Sequence, residues 1–94
     1  MEIEYHEAKR LLILEDRGLD ISRSVEVFEA FNLVRRDDKH SSSLEERFHS
    51  IGPLDDDIVI VTWTQRGEKR RIVTMWKAND REREKYHQQR DRPG

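Results

Sequence analysis

Ile3 and Tyr5 alternate with Glu2 and Glu4, a period of two that predicts a short first strand. From Glu7 the spacing becomes helical. Ala8, Leu11, Leu12 and Glu15 follow i, i+3, i+4 and define one face, and Gly18 supplies a left-handed stop. Leu19–Ser22 connects to a second helix, with Asp20 or Ser22 as its N-cap and Val25, Phe28 and Phe31 on its buried side. Asn32 ends that helix. Leu33–Asp38 reads as a strand opening into the polar loop 37–43.

A strand is expected from about Glu45 to Ser50, closed by a turn over 52–57 that contains Gly52 and Pro53. Ile58–Thr64, β-branched and apolar on both faces, has the pattern of a central strand. Arg66-Gly67-Glu68 turns the chain into a fifth strand, about Arg70–Trp76. Asn79 or Asp80 then caps a charged final helix reaching about Gln89, and 87–94 is expected to hold a flexible tail. The order β-α-α-β-β-β-β-α predicts an α+β fold, an antiparallel meander with helices packed on it. Length allows one domain, 1–94, with one small core.

Charge is unevenly distributed along the chain. Residues 1–57 carry eight Lys and Arg against fifteen Asp and Glu, a net of −7. Residues 58–94 carry ten against five, a net of +5. The formal total of −2 thus hides a polarised chain whose basic end would attract polyanions. With no cysteine, thiolate metal sites, thiol nucleophiles and disulfides are excluded. The four histidines lack zinc-ligand spacing, and no Gly-rich phosphate loop or carboxylate cluster stands out, so no metal and no cofactor is expected. The first residues lack the pattern of an export signal, and no apolar run could span a bilayer; a cytoplasmic protein without membrane contact is expected.

Strict alternation along the fifth strand sets Arg71, Val73 and Met75 on one face and Arg70, Ile72, Thr74 and Trp76 on the other. Val73 and Met75 then enter the core. Trp76 is either open, where it stacks on a nucleobase, or covered by the final helix. Most charges of that helix, such as Arg83, Glu84 and Arg90, need only be a solvated face, and Tyr86 staples the helix to the sheet. Metal-free RNA cleavage requires a base for the 2′-hydroxyl, cations for the phosphorane and an acid for the leaving oxygen. Candidate cations are Arg47, Arg66, Arg71 and Lys77; candidate proton carriers are Glu45, Glu82, His40, His49 and Tyr86. His6 and His87 read as surface residues.

The chain resembles the BrnT family of type II toxins over about residues 2–86. Carrying the resemblance are Glu4-Tyr-His-Glu-Ala-Lys9, Arg17-Gly-Leu-Asp-Ile21 with Glu26-Val-Phe28, Glu45-x-Arg47-Phe48 with Ile51-Gly52, Val61-x-Trp-Thr-x-Arg-Gly67, Arg71–Met75, and Lys77-Ala-Asn-x-Arg-Glu82 with Tyr86. It implies a small RelE-like fold and a ribonuclease that blocks translation. It also implies neutralisation by a BrnA-like ribbon-helix-helix antitoxin, with operator DNA reached only through the toxin–antitoxin complex. On this view Glu45, Arg66, Arg71, Lys77 and Glu82 form the catalytic set, and Arg47, Arg70, Trp76 and Tyr86 bind RNA.

The family pattern commonly has arginine where this chain has Trp76, and tryptophan carries no charge. Either another cation replaces it, with Arg70 on the same face by alternation as the candidate, or the chain is a weakened homologue acting as a binding module for antitoxin or nucleic acid. The ribonuclease reading further expects the basic residues to share one continuous groove.

Overall fold

A computed structural model describes residues 1–92. Its elements are β1 (Glu2–Glu4), α1 (Glu7–Arg17), a 3-10 turn (Ile21–Arg23), α2 (Ser24–Glu29), β2 (Leu33–Arg36), β3 (Arg47–Leu54), β4 (Asp57–Arg66), β5 (Lys69–Lys77) and α3 (Asp80–Arg90). The α+β class and the element order are those expected. One five-stranded sheet runs β1-β5-β4-β3-β2. β2 to β5 form the antiparallel meander, while β1 lies outside β5 and parallel to it, a return that local pattern could not foretell.

The local stop and start signals operate as physics requires. Gly18 sits at φ 69° and donates its N–H to the Leu14 carbonyl, closing α1. Asp20 accepts from the Ser22 N–H and hydroxyl, and also takes two bonds from Arg10, at 2.9 and 3.1 Å. Asn79 and Glu82 form a reciprocal capping box at the start of α3. The expected tail from residue 87 is helical through Arg90, and its last two residues, 93–94, lie outside those described.

Three expectations need correction. In α1 the buried residue is Ile13, whereas Leu12 is 66% exposed and Leu11 53%. The helix contains four consecutive apolar residues, Leu11–Leu14, so spacing alone cannot choose its inner side. In α2, Val27 is the fully buried contact; Phe31 is exposed because this six-residue helix ends at Glu29, before it. The supposed turn residues Gly52 and Pro53 belong to β3, and the hairpin turns at Asp55, whose φ is 55°. Gly52 is required by a close approach: a Cβ there would lie 3.0 Å from Val27 Cγ1. Pro53 is tolerated because pairing with β2 stops at Ile51.

Two cores lie on opposite sides of the sheet. On one, α1 and α2 cover Val59, Val61, Trp63, Ile72 and Met75. On the other, α3 covers Ile51, Ile58, Ile60 and Ala78 through Tyr86. α3 spans only one end of that second face. The rest stays open, and this incomplete cover creates the candidate site.

A candidate nucleic-acid cleft on the open face

The register identifies what occupies the uncovered end. Arg35 lies opposite His49, His49 opposite Thr62, and Thr62 opposite Thr74. One step further out, Arg47, Thr64 and Arg71 form the next row. The loop between β2 and β3 folds over this surface. It is clamped by Asp37 N–H donating to the Arg47 carbonyl at 2.7 Å and by Arg47 N–H donating to Ser41 Oγ at 2.8 Å. The result is a cleft of about 360 Å³. Thr62, Val73 and Thr74 line it from the sheet, Trp76 and His49 from one side, and Asp37, Lys39, His40 and Arg47 from the other.

Asp37 organises the imidazoles. Its Oδ2 lies 2.9 Å from His40 Nδ1 and 3.2 Å from His49 Nε2. Burial opposes its ionisation, but the His40 side-chain and backbone hydrogen bonds prevail and hold its pKa below the ordinary value. Arg35 Nε donates to His49 Nδ1 at 3.3 Å. His49 is pushed down mainly by burial, with Arg35 adding to this and Asp37 opposing it. Trp76 meets the His49 ring edge-to-face, centroids 5.4 Å apart. Thr62 Oγ1 and Arg47 Nε are buried without a hydrogen-bond partner among the described residues. Polar groups in that state are best explained by a ligand or water that completes them.

A family model described as a ribonuclease toxin, BrnT, of type II toxin–antitoxin systems matches residues 5–82. The chain belongs to the BrnT family. Membership makes it a ribonuclease toxin of a toxin–antitoxin pair, with an antitoxin as its implied partner. No curated protein and no solved structure matches the chain significantly. No helix among the described residues is long and apolar enough to cross a membrane.

Of the residues singled out in the sequence of this BrnT member, the cleft gathers Arg47, Trp76, His40 and His49. Arg71 shares their face by register but meets His6. Glu82 stands beside the cleft with both oxygens engaged, Oε1 by the Asn79 N–H and Oε2 by Arg35. Glu45 and Arg66 pair with each other at 3.6 Å in a separate depression beside Phe48 and Gln65. Lys77 pairs with Asp57 at 3.6 Å at the far end of the hairpin. From Val59, opposite Lys77, to Arg66 is seven residues of β4, about 23 Å at the usual strand rise. The expected single cationic groove therefore does not form.

Two further placements differ from the alternation argument. Thr62 pairs with Thr74 but Trp63 pairs with Ile72, so Val73 is an extra residue that reverses the faces around it. Ile72 and Arg70 thus join Met75 on the helix-covered side, and Val73 lines the cleft. Arg70 cannot stand in for an arginine at position 76, because it lies across the other face of the sheet. Tyr86, expected at the RNA surface, is 1% exposed and donates its hydroxyl to the Phe31 carbonyl at 2.8 Å. Asp37 was not singled out in the sequence. Its only signal is a carboxylate three residues before a histidine in a polar loop.

Proposed function

We propose that this BrnT-family toxin cleaves RNA in the open-face cleft by metal-independent attack of the 2′-hydroxyl on the adjacent phosphate. The observation that carries the reading is the convergence of Arg47, Lys39 and two carboxylate-linked imidazoles on one cavity. Arg47 and Lys39 supply positive charge for the phosphorane, and Trp76 offers an aromatic surface on which a base can stack. Of the two imidazoles, the one with a free ring nitrogen supplies proton transfer, and the other helps to hold the cleft wall. Arg71, on the same face, extends the cationic path for the sugar–phosphate chain. Glu82 acts on the site by fixing Arg35 and thereby His49.

The partner is a BrnA-like ribbon-helix-helix antitoxin, and operator DNA is contacted through that complex. Support for this comes from the family match and the resemblance of the motifs. Action on RNA during translation places the toxin in the cytoplasm. Copurification with the product of the neighbouring gene tests the partner. Incubating the purified chain with RNA in the presence and absence of EDTA tests the chemistry. Equal cleavage in both is expected; cleavage abolished by EDTA overturns metal independence, and no cleavage by any clean preparation overturns the ribonuclease reading.

Trp76 supports a second reading, a weakened homologue that holds nucleic acid or antitoxin without much turnover. Trp76→Arg separates the two. A large gain in cleavage favours the weakened homologue, whereas loss of RNA affinity favours a stacking role in an active enzyme.

A further inference from the structure

We propose that Asp37 and His40 act as a proton-transfer dyad, with His40 Nε2 as the base that takes the 2′-hydroxyl proton and Asp37 as the residue that positions it. The inference rests on the cleft being the cleavage site. An ionised carboxylate only accepts, so the His40 nitrogen 2.9 Å from Asp37 Oδ2 must be Nδ1–H. A neutral imidazole then carries its lone pair on Nε2. No hydrogen bond from the described residues engages that atom, and the His40 side chain is 55% exposed on the wall of the cleft.

His49 has the opposite arrangement. Its Nε2–H faces Asp37, and its Nδ1 accepts from Arg35, so neither nitrogen is available to substrate. One carboxylate therefore fixes two tautomers, a reactive one in the loop and a locked one in the sheet. A solvated surface pair would not need this. Asp37 is only 10% exposed, and its Oδ1 and main-chain carbonyl both accept from the His40 N–H at 3.3 Å, so the turn itself holds the imidazole in place.

In the reaction His40 Nε2 takes the proton from O2′, the O2′–P bond forms and the P–O5′ bond breaks. The leaving O5′ takes a proton from water entering the open cleft, and the His40 imidazolium returns its proton to solvent. The products are a 2′,3′-cyclic phosphate and a 5′-hydroxyl. Asp37 steadies the imidazolium without itself becoming protonated. The charged and titratable groups facing His40 are Asp37, Lys39, Arg47 and His49.

The test has two readouts. With an RNA oligonucleotide, His40→Gln is expected to lose at least about 100-fold in cleavage rate and the acid limb of the pH–rate profile. Asp37→Asn is expected to lower kcat far more than it changes KM, as for a residue that acts through the orientation of His40. Wild-type cleavage with His40→Gln unchanged in rate and profile overturns the dyad while leaving the cleft's ribonuclease reading standing. Independently of any turnover, imidazole nitrogen shifts are expected to give the Nδ1–H tautomer for His40 and the Nε2–H tautomer for His49. The Nε2–H tautomer at His40 overturns the proposal even if the chain proves inert toward RNA.

Discussion

Each face of the sheet carries a tryptophan and an arginine, and the two pairs have opposite fates. On the helix-covered face the Arg70 guanidinium lies 3.8 Å from the Trp63 ring centroid and 4.5 Å from that of Phe28. Trp63 stacks on Phe48 and donates its indole N–H to Ser50 Oγ at 2.8 Å. The Arg70 charge is held against aromatic rings, and burial keeps its pKa below the ordinary arginine value. On the open face Trp76 and Arg47 instead line a cavity, with no aromatic ring lying over the Arg47 guanidinium among the described residues. The difference lies in cover. α1 and α2 together close one face, whereas α3 alone covers the other and leaves part of it open.

That contrast can be broken most severely at Trp63. Trp63→Ala should cost about 3–5 kcal/mol, because it removes a buried ring, its indole bond and the seat of Arg70 together. Trp76 is half-buried against the second core, so Trp76→Ala should cost less, about 1–2 kcal/mol in thermal or urea unfolding, yet weaken RNA binding by about tenfold, the stacking contribution of one base. Equal destabilisation by the two changes would show that Trp76 is core and not a binding surface.

A smaller effect tests the covered side through pH. Hydrogen bonds from Arg10 hold the Asp20 carboxyl far below the ordinary carboxylate range, with Ser22 assisting and burial opposing. A depressed folded pKa adds stability that is present above the unfolded value, about 3.9, and is lost as pH falls through the folded one. Asp20→Asn should therefore destabilise by about 1–2 kcal/mol at pH 7, with the deficit shrinking below about pH 4. A deficit independent of pH would place the cost in the cap and not in the ion pair. Smaller again, Asn79→Ala should cost about 1 kcal/mol by opening the capping box of α3, measured as a shift in the urea midpoint.

How much of this was legible in the sequence depends on the range of the forces involved. Gly18, Asp20 and Asn79 act on neighbours a few residues away, so the stop could be read directly and each cap narrowed to two residues, Asp20 or Ser22 and Asn79 or Asp80. Ile58–Thr64 declared itself a central strand by being apolar on both sides. The bulge at Val73 could not be read, because it is set by pairing with Thr62 and Trp63 across the sheet. Its neglect put Arg70 on the wrong face. Nor did polarised composition survive as a polarised groove. Lys69 meets Glu2, Lys77 meets Asp57 and Arg66 meets Glu45, so acidic residues from the first half neutralise the second. The site kept the residue types foreseen, imidazole, arginine and tryptophan. It placed them around a loop aspartate whose burial only the fold could supply.

Chemical-shift mapping with an RNA oligonucleotide made uncleavable by 2′-deoxy substitution locates where RNA sits on the sheet. Binding at the cleft predicts the largest changes at Asp37–His40, Arg47, His49, Thr62 and Trp76, with Glu45, Arg66 and Lys77 little affected. Largest changes at Glu45 and Arg66, with Asp37 and His40 silent, would contradict the account.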